Sequence, residues 1–347
     1  MRTILKWGPA ALLVCLSATH AVSQESDLIV QANRHFTPLP GVMPAPADNP
    51  STAEKIALGK MLYFEPRLSK GGSISCNSCH NLATGGVDNL PTSPGHLAQL
   101  GGRNSPTVLN AGLQFVQFWD GRAPSLEEQA KGPILNPVEM AMPDEESVLA
   151  RLRAIPEYAE RFRRAFPGQA DPMTYANLAK AIAAFERTLL TPSRFDAFLR
   201  GDASALSARE QQGLRLVIQK GCVLCHNGVG AGGGMFQKFG LQGRYERSDD
   251  PGRYVVTKNE ADKQVFKVPM WRNVTRTAPY FHDGGVWELK EAVRIMGRVQ
   301  LGVTLTDEEA GLIVDFLHSL EGAPPEDALR LPLLPASATA ISGPLSK

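Results

Sequence analysis

Cys76-Asn77-Ser78-Cys79-His80 places two thiols three positions apart with an imidazole directly behind them. Thiols at this spacing add to the two vinyl groups of a haem, and the following histidine reaches the iron from the proximal face. The pattern returns as Cys222-Val223-Leu224-Cys225-His226. Two covalent haem c groups are therefore expected, with His80 and His226 as proximal ligands. Four thiols could instead hold a zinc ion or form two redox dithiols. Neither accounts for a histidine behind both pairs.

The sixth ligand decides whether a haem carries electrons or reacts. In the second half Met296 follows a Pro-Tyr-Phe-His-Asp-Gly loop inside an expected helix, as a distal thioether would. Met235 and Met270 compete, and a methionine is more often core filler than a ligand. The first half has no methionine close by. It has His96, in a loop with Gly85, Gly86, Pro91, Gly101 and Gly102. A lone loop histidine is usually a surface residue, but one on a mobile loop can close a haem in one state and release it in another. Peroxide cleavage needs a base that takes a proton from one oxygen and delivers it to the other while charge is stabilised. Glu139, in a largely apolar stretch, is the candidate, and Gln129 could polarise the O–O bond. Each taken alone also reads as a helix-surface or loop residue.

These groups need elements to position them. At 347 residues and 43% hydrophobic, the chain is long enough for two domains. Arg2 and Lys6 precede an apolar run, and Ala21-Val22-Ser23 suits a signal peptidase, so residues 1–23 read as a leader for export. That run is too short to span a bilayer, and no later segment is long and apolar enough, so no membrane span is expected in the mature chain. Loss of the leader removes Cys15 and leaves the four haem thiols, with no disulfide expected. The balance of 36 basic and 35 acidic residues gives no support for nucleic-acid binding.

Capping boxes are legible at Ser51 with Glu54, Ser125 with Glu128, Ser207 with Glu210 and Thr306 with Glu309. They and the helical periodicity predict helices near 52–64, 125–131, 145–153, 156–165, 174–190, 207–219, 287–296 and 307–320. In the last, Ala310, Ile313, Phe316, Leu317 and Leu320 form one buried face. Little β pattern is visible, and 32 Gly and 26 Pro imply long irregular connections. The expected fold is mainly α: two cytochrome c-like haem domains related by internal duplication, with long irregular loops. They are placed at 24–195 and 196–322, with a hinge in 191–207. A tail at 323–347 is left open to pack on the first domain.

The whole mature chain resembles the bacterial dihaem cytochrome c peroxidases. The resemblance is carried by both haem boxes, Leu-Pro-Thr-Ser-Pro-Gly-His at 90–96, Gly-Arg-Asn-Ser-Pro-Thr-Val at 102–108 and Phe-Trp-Asp-Gly-Arg-Ala at 118–123. It continues through Asn-Pro-Val-Glu-Met at 136–140, Thr-Ala-Pro-Tyr-Phe-His-Asp-Gly at 277–284 and Met-Gly-Arg at 296–298. It implies a periplasmic enzyme that reduces hydrogen peroxide with electrons from a small donor protein, a cytochrome c or a cupredoxin. The first haem would be the peroxidatic centre, with His80 proximal, His96 a distal ligand that leaves on activation, and Glu139 and Gln129 in the reaction site. The second would be the electron-entry centre, bound by His226 and Met296, with Trp119 between the two. The resemblance also implies a calcium ion on the Asn104 side chain and the carbonyls of Thr277 and Pro279, and a homodimer as the usual assembly. Two other readings stay open: a non-catalytic dihaem electron carrier, and an oxidase of protein side chains resembling MauG, where a tyrosine replaces the distal methionine. Met296 argues against the latter; Tyr280, nearby in sequence, keeps it in view.

Overall fold

A computed structural model of the chain describes residues 27–336. The expected leader and Cys15 lie outside the described residues. In chain order the helices are α1 (27–33), α2 (Ala53–Tyr63), α3 (Cys76–Cys79), α4 (Leu126–Leu135), α5 (Glu145–Arg153), α6 (Pro156–Ala165) and α7 (Tyr175–Glu186). They continue as α8 (Arg194–Leu199), α9 (Ala208–Gln219), α10 (Tyr254–Thr257), α11 (Leu289–Leu301), α12 (Asp307–His318) and α13 (Glu326–Leu329). Strands β1 (Phe236–Lys238) and β2 (Val265–Lys267) form an antiparallel ribbon in which Phe236 faces Lys267. No helix among the described residues is long and apolar enough to cross a membrane.

Each half is built on a helix pair that crosses at a glycine. In the first, α2 meets α7 at Gly59, where a Cβ would fall 1.8 Å from the carbonyl oxygen of Ala181. Glycine alone permits that approach. Leu58, Leu62 and Tyr63 of α2 then join Leu178, Ile182 and Phe185 of α7 and Phe162 of α6 in one core. In the second, α9 meets α12 at Gly213, where a Cβ would fall 2.0 Å from the carbonyl oxygen of Leu312. Leu214 and Val217 pack there on Ile313, Phe316 and Leu317, so the expected apolar face of α12 is buried. Ser207 and Thr306 close their boxes with Glu210 and Glu309, and Ser125 accepts from the Glu128 N–H. At α2 the cap is Thr52 rather than Ser51.

Three differences from the sequence reading have physical causes. First, α4 continues through Gly132 and Pro133 to Leu135. Pro133 cannot donate to the Gln129 carbonyl, but the chain folds back and recovers bonds at the helix end. Met140 N–H donates to the Pro133 carbonyl at 3.2 Å and Met142 N–H to that of Ile134 at 2.9 Å. Second, the segment read as a hinge contains α8, opened by a Ser193–Asp196 capping box. Asp196 is buried and takes two hydrogen bonds from Arg272, at 2.8 and 3.0 Å. Third, the ends cross over. Leu28, Ala32 and Phe36, grouped by sequence with the first half, lie in the second core beside Phe195, Phe198 and Phe316. Ala328 lies in the first core with Leu334 against it, and Lys60 of α2 pairs with Asp327.

Candidate active site

Ser75 opens α3, and one helical turn sets Cys76 and Cys79 on the same side with His80 at its C-cap. His80 Nδ1 lies 2.9 Å from the Pro106 carbonyl. An N–H must point at a carbonyl, so Nδ1 carries the proton and Nε2 presents its lone pair, as an iron ligand requires. Burial lowers the His80 pKa and keeps the ring neutral. The Tyr63 hydroxyl donates to the His80 carbonyl and ties the turn to α2.

The second attachment turn, Cys222–Leu224, follows Gly221 at φ 84. His226 is buried and stacks on Trp271 at 4.4 Å and 12°. Its Nδ1 has no hydrogen-bond partner among the described residues, and burial pushes its pKa down to about 4. A buried imidazole kept neutral in this way suits a metal-bound ring. The four thiols are unpaired. Burial pushes those of Cys76 and Cys79 up, and that of Cys222 up to about 11. A redox dithiol needs the opposite shift. Among the described residues no three His, Cys, Asp or Glu converge to hold a metal ion, which removes the zinc reading. The residues present fit two covalently attached haems.

His96 and Glu139 meet. The His96 N–H donates to the Glu139 carbonyl at 2.7 Å. The approach depends on Gly95, where a Cβ would fall 2.0 Å from the Val138 carbonyl oxygen. The histidine loop is a narrow hairpin bridged between Pro94 and Leu100. Its tip residues Leu97 and Ala98 hold φ of 56° and 59°, strained for side chains other than glycine. Leu97 is 82% exposed there. The His96 ring faces Gly71, just ahead of the first haem box. The Glu139 carboxylate accepts from Asn136 Nδ2 at 2.8 Å. Burial raises its pKa, opposed by the Arg122 charge and that hydrogen bond. Gln129 lies half-buried on α4, the helix whose end leads into the Glu139 turn.

Met296 is half-buried in mid α11, beside the core residues Ile295 and Val299. Of its competitors, Met270 is packed tightly under Gly230 and Gly233 as core filler, and Met235 is half-buried ahead of β1.

Trp119 sits on the seam between the halves. Its Nε1 donates to the Asn104 carbonyl at 2.9 Å, and its own carbonyl accepts from the Lys267 N–H at 2.8 Å. Nearby Arg103 reaches across to Asp250 with two hydrogen bonds, at 2.6 and 2.8 Å. Asn104 Nδ2 donates to the Leu90 carbonyl at 2.9 Å, which leaves Oδ1 available. Asn89 Nδ2 donates to the Ala278 carbonyl at 2.8 Å, bringing that loop to the Thr277–Pro279 turn. The carbonyls of Thr277 and Pro279 accept no backbone hydrogen bond among the described residues. Hard oxygen donors left free in this way suit calcium.

Several supports were not found from sequence. Pro106 and Asn136 lie inside blocks already singled out, but nothing in their types marks them as hydrogen-bond partners of His80 and Glu139. Trp271 reads as one more core aromatic. Only the fold places it on His226.

The profile of a protein family described as di-haem cytochrome c peroxidase matches residues 53–204. The cytochrome c551 peroxidase of Pseudomonas aeruginosa is 48% identical over 93% of this chain and 94% of its own. That of Nitrosomonas europaea is 50% identical over 85% of this chain and 88% of its own. Among solved structures, a MauG-like protein associated with microbial copper homeostasis is similar with a TM-score of 0.74. It is 28% identical, covering 85% of this chain and 97% of that one.

Proposed function

The chain belongs to the di-haem cytochrome c peroxidases, oxidoreductases, and from that premise we propose how its residues divide the work. The reaction is reduction of hydrogen peroxide by two electrons and two protons to two waters, in the periplasm. The electrons come from a small redox protein such as cytochrome c. His80 and His96 hold the first haem iron, and His226 and Met296 the second. Asn104, Thr277 and Pro279 hold a calcium ion at the seam. When bound, the first haem supplies the redox chemistry that splits the O–O bond.

The single observation that carries this reading is the hydrogen bond from the His96 backbone to Glu139. It makes the distal histidine and the proton-transfer carboxyl one mechanical unit. A loop that withdraws His96 must release or reorient Glu139 in the same motion. The strain at Leu97 and Ala98 lowers the cost of that motion, because the closed loop already lies above its relaxed state. Burial raises the Glu139 pKa from its ordinary value, the direction that suits a proton carrier. Asn136 fixes its orientation, and Gln129 supports charge on the bond being broken. Trp119, bonded to both halves, gives an electron an aromatic waypoint between them.

The test is steady-state turnover with reduced cytochrome c and peroxide. Glu139→Gln is expected to lower kcat/KM about a hundredfold or more with both haems still attached. A loss below about tenfold would falsify the proton-transfer role.

A further inference from the structure

A buried cation at the seam has no part in the work assigned so far. Lys267 closes β2 and is 4% exposed. Its N–H donates to the Trp119 carbonyl, so it stands against the turn that presents the tryptophan. Its Nζ donates to Gln114 Oε1 of the first half. Among the described residues no carboxylate lies within ion-pair distance of it. Asp120 is the acidic group whose charge it feels, and Asp120 is already held by Arg103 at 2.7 Å and Arg122 at 3.0 Å. Arg253 adds a further positive charge, donating to the Asp120 carbonyl at 2.8 Å. The surroundings are therefore cationic, with too few anions.

A buried ammonium is normally paired, or it gives up its proton. Burial pushes Lys267 down to about 7, the sign of a missing counter-charge. The Gln114 amide Nε2 donates no hydrogen bond among the described residues, so the pair offers an ammonium and an amide N–H₂ together. That donor set suits one carboxylate. The carboxylates a dihaem chain must accommodate in its interior are the haem propionates. We propose that Lys267, with Gln114, anchors a propionate of one of the two haems at the seam beside Trp119. This rests on both boxes carrying haem. The anchor's charge stabilises the reduced form of the haem it holds, next to the residue on the electron path.

The experiment uses the haem-loaded full chain as wild type, Lys267→Met, Lys267→Arg and Gln114→Leu. Covalent haem is counted by the pyridine haemochrome spectrum, folding is checked by circular dichroism, and both midpoint potentials are titrated. Lys267→Met is expected to shift one haem's reduction equilibrium about tenfold toward the oxidised form, or 59 mV for a one-electron couple. Lys267→Arg should restore most of the shift, and Gln114→Leu should give a smaller shift in the same haem. The spectrum that moves, the bis-histidine or the histidine–methionine one, identifies whose propionate is held. Two attached haems with unmoved potentials would overturn the anchor and leave the peroxidase reading standing. A shift that Lys267→Arg does not relieve would overturn it too, by showing a packing effect. If Lys267→Met fails to fold, the arginine and Gln114 variants still decide the matter. A wild type without covalent haem would instead sink the reading of the boxes themselves.

Discussion

His80 gives its Nδ1 proton to the Pro106 carbonyl at 2.9 Å, whereas His226 lies flat against the Trp271 indole at 4.4 Å. The proposed distal residues differ as well. His96 rides a strained hairpin with an exposed tip, while Met296 sits in mid-helix among packed neighbours. One attachment pattern is thus followed by two different settings, a yielding loop in the first half and a fixed helix in the second.

The largest expected effect tests how firmly the fixed half is pinned. Arg272→Met leaves the Asp196 carboxylate buried without its counter-charge, holding only its bonds from Ser193 and the Leu39 N–H; both members of the ion pair are 1% exposed. It should cost about 3–5 kcal/mol in denaturant unfolding. The corresponding first-half pair, Arg187 with Glu127, is more open, at 8% and 12% side-chain exposure. Arg187→Met should cost less, and an equal loss would break the contrast. Next, Gly59→Ala and Gly213→Ala each force a methyl against a carbonyl oxygen. Each should cost about 1–3 kcal/mol, read as matched drops in Tm; a drop in one variant alone would show that the two crossings are not equivalent.

A last test is confined to the first half. Glu186 on α7 is buried near Cys76 and Tyr63, and burial raises its carboxyl from 4.5 to about 8. Between those values the folded protein keeps a proton that the unfolded chain has released. Its contribution is therefore fully present below about pH 4.5 and is lost as pH rises toward about 8. Glu186→Gln should flatten the pH dependence of Tm across that window. An unchanged slope would mean that Glu186 does not titrate there.

What was legible in the sequence was local. Ser207 with Glu210 and Thr306 with Glu309 mark helix starts because a cap is satisfied within four residues. The two haem boxes are legible because covalent attachment dictates their spacing. What was hidden depends on distant chain. α8 is short, and it is stabilised by Arg272 and by Phe36 and Phe316, which are remote in sequence. The extension of α4 past Pro133 depends on Met140 and Met142 folding back. His96 and Glu139 each stand out by residue type, but their mutual hydrogen bond comes from a loop contact with no periodic signature.

The crossed ends have a consequence for anyone who would dissect the protein. A cut near residue 200 gives fragments that each carry a strip of the other's interior: the front piece keeps Phe36, the back piece keeps Ala328. Neither fragment can complete its own hydrophobic centre, and each displays an unmatched greasy strip. Mixed together, the two have reason to recombine, so a dissected peroxidase should behave as a complementing pair rather than as two independent modules.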